Sequence, residues 1–207
     1  LDIDIASYKP ADQYKLLSST VVPRPIALIS SRSAAGIDNA APFSFFNILG
    51  EAPPVVAVGI KNNPDGTMKD TAANIVETRE FVVNMVDEAT AEAMNQCSID
   101  CPPEVSEVDL AGLTLTASNV INPPRITESP VSFECRLLEC LGTVPDRCII
   151  IGEIVSMHIR DGLLDPETLR VDIEAYRPVG RIFASLYLRA SDTFEMKRPF
   201  MAPAGAG

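Results

Sequence analysis

Histidine and tryptophan are almost missing from this 207-residue chain, which has one His, His158, and no Trp. A single imidazole excludes any site built within one chain from two histidines, such as a zinc-binding H-E-x-x-H helix, and no metal is expected. Basic residues are also scarce: 17 Lys and Arg stand against 28 Asp and Glu, a formal net charge of −11. A surface of that sign repels phosphate backbones and anionic lipid, so neither nucleic acid nor membrane is an expected partner. No apolar run approaches the ~20 residues of a membrane span, and no basic-then-apolar stretch opens the sequence. The first residue is Leu1, not Met, so a trimmed start is the expectation. The five cysteines (Cys97, Cys101, Cys135, Cys140, Cys148) are odd in number and never spaced C-x-x-C. That argues against a secreted disulfide framework and a zinc ribbon, and for reduced thiols in a cytoplasmic protein. Cys135 and Cys148 lie in apolar runs, where a thiol behaves as a small core residue.

Catalytic motifs are absent too. There is no G-x-x-x-x-G-K-[ST], no G-x-G-x-x-G in the body of the chain and no G-x-S-x-G, so a nucleotide triphosphatase, a Rossmann dehydrogenase and an α/β-hydrolase lose their main support. No carboxylate pair in an apolar setting suggests a glycosidase. Either the protein is a binding module or its reactive group is not a side chain.

What is present is a globular composition, 46% hydrophobic and 22% charged, on a chain of one-domain length. The 17 prolines fall between apolar runs and not within them. Strand-like, β-branched stretches occupy 26–31, 43–49, 55–60, 81–86 and 113–120, and two longer ones span 131–144 and 148–160. Each long one carries an internal glycine (Gly142, Gly152), where a long strand bends to close a barrel. Helical spacing is confined to 70–80 and 88–96. Strands in succession without intervening long helices predict a mainly β, antiparallel barrel with a few short helices.

Three segments carry polar groups unusual for their settings: Ser30-Ser31-Arg32, Asn39-Ala40-Ala41-Pro42-Phe43-Ser44-Phe45-Phe46-Asn47, and Lys69-Asp70-Thr71 with Asn74. The start of a helix at 70 offers free N–H groups and a positive dipole, which with Lys69 and Thr71 suit a phosphate. The aromatic-and-small stretch suits a flat ring. Each also has a plain structural reading: Asp70 or Thr71 as N-cap, Lys69 as a surface charge, the phenylalanines as core, and the serines as a strand end.

In order and spacing, Arg24-Pro-Ile-Ala-Leu-Ile-Ser-Ser31, Asn39–Asn47, Pro53-Pro54, Lys69-Asp-Thr71 with Asn74, Glu80-Phe-Val-Val-Asn84, Ala111-Gly-Leu113, Ile151-Gly-Glu-Ile154 and Arg177-Pro-Val-Gly-Arg181 resemble the flavin reductase-like, FMN-binding split-barrel family, in its longer, flavoredoxin-containing branch. The resemblance spans residues 18–190, leaving 1–17 as an N-terminal extension and 191–207 as a C-terminal tail. It implies a six-stranded Greek-key split barrel, a homodimer and one FMN per subunit. The isoalloxazine would lie against Asn39–Asn47 and the phosphate would be held by Ser30, Ser31, Lys69 and Thr71; Arg181 is a weaker carry-over. The implied activity is that of an NAD(P)H:flavin reductase or flavoredoxin-like electron carrier, with a non-catalytic FMN storage or delivery protein as the alternative. Shorter NADH-dependent members of the family carry Gly-Asp-His where this chain has Pro145-Asp146-Arg147. NADH, NADPH and another donor therefore stay open, as do the acceptor and a tightly held against a released flavin.

Overall fold

Residues 1–102 and 105–199 are described by a computed structural model. Helix α1 (Pro10–Thr20) precedes β1 (Ala27–Arg32), β2 (Asp38–Phe43), β3 (Phe46–Glu51) and β4 (Pro54–Lys61). Helix α2 (Asp70–Thr78), β5 (Glu80–Met85), α3 (Ala91–Gln96) and the single turn α4 (Glu107–Leu110) follow. A two-residue ladder, β6 (Leu115–Thr116) with β7 (Arg125–Ile126), leads to the long pair β8 (Val131–Val144) and β9 (Arg147–Ile159). Seven strands form one antiparallel sheet in the order β2-β1-β5-β8-β9-β4-β3, one strand more than the resemblance implied. Its two edges, β2 and β3, are consecutive in sequence, so the sheet curls into a split barrel whose edges are joined through Ser44 and Phe45. The Gly59 N–H of β4 donates to the Phe45 carbonyl at 2.8 Å across that join.

Alternation along β1 sets the inside and outside of the barrel. Ala27 and Ile29 join the inner core with Val58, Phe81, Phe133 and Ile150. Ile26 and Leu28 face a second core beneath α3 and α4, with Met94, Val108 and Ile126. By the same alternation Ser31 lies on the inner side and Ser30 on the outer.

Departures from the sequence reading have local causes. The stretch 43–49 is not one strand but breaks at Ser44–Phe45, where the chain crosses between the sheet edges. The stretch 113–120 keeps only β6 of its strand, because the N–H groups of Asn119 and Val120 donate to the buried Glu134 carboxylate at 2.7 and 2.8 Å. Helix α3 starts at Ala91, not 88, because Asp87 and Thr90 exchange hydrogen bonds that close a turn ahead of it. Helix α2 stops at Thr78 because Arg79 takes a left-handed conformation, φ 66°. Gly152 answers to packing as well as bending, since a Cβ there would lie 2.5 Å from Phe81 Cζ. Helix α1 begins within the segment 1–17 read as an N-terminal extension and ends at Thr20, beyond it. Of the tail 191–207, residues 200–207 lie outside the described residues. Among the described residues no helix is long and apolar enough to cross a membrane.

Candidate functional site

A cavity of about 1530 Å³ opens between α1, the β2–β3 join, the start of α2 and the turn after α3, more than the few hundred to ~1,000 Å³ of a common ligand pocket. One wall is the edge strand β2 and its continuation: Asn39, Ala41, Pro42, Phe43, Ser44 and Phe45 all line it. An edge position accommodates Pro42, which has no N–H to give a ladder, and leaves backbone groups of β2 without a second partner strand. Phe45 sits under Tyr14 of α1, with ring centroids 6.1 Å apart, and the Arg147 guanidinium lies 5.4 Å from its centroid.

The opposite end is the start of α2, where Lys69, Asp70 and Thr71 line the cavity. Lys69 occupies the N-cap and no side chain caps the helix, so first-turn N–H groups and the positive end of the helix dipole remain for a ligand. The Lys69 ammonium meets Asp100 Oδ1 at 2.7 Å. Among the described residues, four cationic ones (Lys15, Lys61, Lys69, Arg147) and four acidic ones (Asp70, Asp100, Glu107, Asp146) line the cavity. The charge of these lining residues is balanced although the chain as a whole is strongly acidic.

Of the other sequence-predicted residues, Ser30, Ser31, Ala40, Asn47 and Asn74 fall behind this surface or away from it. Asn39 is the hub. Its Nδ2 donates to Glu107 Oε1 and Oε2 at 3.1 and 2.9 Å, and its Oδ1 accepts from Thr71 Oγ1 at 2.8 Å and Ser31 Oγ at 3.4 Å. Asn74 lies one layer deeper and donates to Ser31 Oγ at 3.2 Å. Neither Ser31 nor Asn74 lines the cavity. Ser30 points to the other side of β1, where its hydroxyl donates to the Pro124 carbonyl at 2.6 Å and accepts from Asn84. Ala40 is buried in the second core. Asn47 is exposed on β3 with its Oδ1 accepting from the next N–H, that of Ile48. Phe46 belongs to the inner core and Phe43 packs against it.

Sequence reasoning missed four contributors. Glu107 is a buried carboxylate in the cavity wall, 68 residues from its partner Asn39. Tyr14 comes from α1, whose one readable signal is Pro10 in the first turn. Arg24 is buried and donates to the carbonyls of Ser18, Val21 and Ile182, with its Nε 3.4 Å from Ser44 Oγ. It thereby ties α1 and the chain near residue 182 to the β2–β3 join, and burial lowers its pKa from the usual value. Cys97, also in the wall, is pushed up to about 12 by burial and then by Glu107, so it is a neutral thiol and no nucleophile.

A sequence model of the flavin reductase like domain matches residues 18–180. An uncharacterized protein of Aquifex aeolicus is 45% identical over 184 residues, covering 89% of this chain and 93% of that protein. The crystal structure of nitrilotriacetate monooxygenase component B from Bacillus cereus superposes with a TM-score of 0.90 at 34% identity, covering 95% of this chain and 98% of that one. That of Pseudomonas fluorescens 2-nitrobenzoate 2-nitroreductase NbaA superposes with a TM-score of 0.89 at 39% identity, covering 99% and 100%.

Proposed function

The chain belongs to the flavin reductase like domain family, and we propose that it is an FMN-binding oxidoreductase that oxidises NAD(P)H. Family and neighbours mark an oxidoreductase-type enzyme with a flavin cofactor. The observation that carries the finer reading is the cavity's polarity. An uncapped helix start beside Lys69 forms one end, and a wall of small residues and phenylalanines forms the side. A flavin mononucleotide fits that donor set, with its phosphate at the α2 N–H groups and Lys69 and its ring along Ala41–Phe45. When bound, a flavin would supply the redox chemistry, so no side-chain base is needed.

The residues of this chain orient and enclose. Ala41 and Pro42 carry no bulk to block a flat ring. Arg24 holds the β2–β3 join in place, and Tyr14 and Arg147 cover Phe45. The lysines and Arg147 offset the repulsion that a net charge of −11 imposes on an anionic donor. We further propose that the protein is a cytoplasmic homodimer, in keeping with its five free thiols and with the exposed Ile48 and Leu49 on edge strand β3. The two solved neighbours are named for a monooxygenase component and for a nitroreductase, so both a released reduced flavin and a nitroaromatic acceptor are candidates here. Anaerobic mixing of the FMN-loaded protein with NADH and NADPH in a stopped-flow spectrometer tests the activity. Bleaching of the flavin band within turnover time is expected, and a flavin untouched by either donor would leave only a flavin-binding protein.

A further inference from the structure

The charges lining the cavity are segregated, and one cluster of them has no part in holding a phosphate at α2. Lys69 stands among acids: it pairs with Asp100, Asp70 follows it in the chain, and Asn39 links Glu107 to Thr71. Among the described residues the other lining cations, Lys15, Lys61 and Arg147, stand against a single lining acid, Asp146. These three gather around Phe45. The Arg147 guanidinium lies 5.4 Å from the Phe45 ring centroid, and Lys61 is the register partner of Arg147 on β4. Lys15 follows Tyr14, whose ring centroid is 6.1 Å from that of Phe45. Lys15 is already paired with Asp12 at 2.8 Å, which leaves Lys61 and Arg147. Arg147 carries a carboxylate of its own chain: Asp146 Oδ1 and Oδ2 accept from Nε and Nη2 at 3.1 and 3.2 Å. That is the two-pronged way a guanidinium reads a carboxylate, but longer than the ~2.7–2.9 Å of a tight charge-assisted pair. Asp146 is half exposed, so the pair contributes little to the fold and a ligand carboxylate can displace it.

We infer that Arg147 and Lys61 form an anion subsite beside Phe45 for a second ligand, an aromatic carboxylate, whose ring packs against the Tyr14–Phe45 wall and whose carboxylate replaces Asp146 on the Arg147 guanidinium. Arg147 supplies a planar fork that matches a carboxylate, and Lys61 supplies a point charge. A cavity of about 1530 Å³, beyond the ~1,000 Å³ of a common pocket, has space for such a ligand beside a flavin. The inference rests on the flavin reading above, leaves its phosphate at α2, and names the class of the second ligand.

Benzoate and benzamide, which share a ring and differ in charge, test the subsite by binding alone. Each is titrated calorimetrically into the full chain saturated with FMN, as wild type and as Arg147→Gln, Lys61→Gln and Asp146→Asn. Wild type should bind benzoate at least tenfold more tightly than benzamide. Arg147→Gln should weaken benzoate roughly ten- to a hundredfold, the loss of a charge-assisted hydrogen bond, and should leave benzamide within about twofold. Lys61→Gln should weaken benzoate by up to about fivefold. Asp146→Asn removes the competing carboxylate and should tighten benzoate by up to about fivefold. Equal affinity for benzoate and benzamide in wild type, no benzoate binding, or an Arg147→Gln variant with wild-type benzoate affinity overturns the inference. Weakening of NAD⁺ by Arg147→Gln with benzoate untouched also overturns it, and gives the cluster to the nicotinamide donor. If Arg147→Gln fails to fold, Lys61→Gln and Asp146→Asn decide by their opposite shifts, and benzoate affinity unchanged in both overturns the inference. A wild type that binds no FMN overturns the flavin reading itself, whereas FMN binding without a preference for benzoate overturns this inference alone.

Discussion

Replacing Lys69 by alanine removes the side-chain cation at the N-cap of α2, and its effect can be sized from its surroundings. In the free protein the ammonium holds Asp100 at 2.7 Å with the Lys69 side chain 38% exposed, an exposed pair worth about 0–1 kcal/mol. The fold should therefore lose little, and the melting temperature should stay close to wild type. A charge-assisted hydrogen bond to a phosphate contributes about 1.5–3 kcal/mol, so Lys69→Ala should weaken FMN roughly ten- to a hundredfold. Riboflavin, lacking the phosphate, should bind as before. Asp100 competes for the same ammonium, so Asp100→Asn should tighten FMN by up to about fivefold, the equivalent of ~1 kcal/mol. Both effects should shrink as salt is raised. Isothermal titration at two salt concentrations measures all of this. An FMN affinity in Lys69→Ala within twofold of wild type, or an equal loss for riboflavin, would refute the placement of the phosphate.

Other expectations concern the scaffold and its charges. Gly152→Ala puts a methyl 2.5 Å from Cζ of the fully buried Phe81, so it should destabilise by about 1–3 kcal/mol, lowering the melting temperature by roughly 2–4 °C per kcal/mol; an unchanged melt would contradict the packing. Arg24→Gln removes charged donors from the Ser18, Val21 and Ile182 carbonyls, so urea denaturation should show a loss of roughly 1.5–3 kcal/mol together with weaker flavin binding; loss of neither would contradict its role at the β2–β3 join. The pKa of His158 is lowered by burial first and then by Arg125. The imidazole is thus harder to protonate in the folded than in the unfolded chain, and its contribution to stability is present above the ordinary value of about 6.5 and is lost as pH falls below that value and through the lower pKa of the folded chain. With one histidine in the chain, an NMR titration has one C2 proton to follow, and a midpoint above 6.5 would contradict the burial.

The barrel was legible because its signals are local. Alternation at Val131, Phe133, Cys135 and Leu137 announces β8, β-branched runs announce β4 and β5, and Asp70–Thr71 announces the start of α2. What the sequence hid are features created by tertiary partners. The stretch 113–120 has strand composition, but Glu134 takes the N–H groups that a strand would have paired. Helix α1 has one buried residue, Ser18, so no apolar stripe revealed it. The site divides in the same way. Ala41–Phe45 and Lys69–Thr71, marked separately in the sequence, line one cavity, whereas Ser30 and Ser31, adjacent in sequence, point to opposite sides of β1. Glu107 is polar, lies in a polar segment and meets Asn39 only through the fold, so nothing local marked it.

The central claim is that the cavity between α1, the β2–β3 join and the start of α2 holds FMN. The visible spectrum of the protein incubated with excess FMN, recorded before and after gel filtration, tests it most directly. Flavin absorbance bands should travel with the protein, or in the weak-binding case a saturable one-to-one titration should be seen by fluorescence, with affinity falling roughly ten- to a hundredfold when Lys69 is replaced by alanine. No flavin bound under either condition would contradict it.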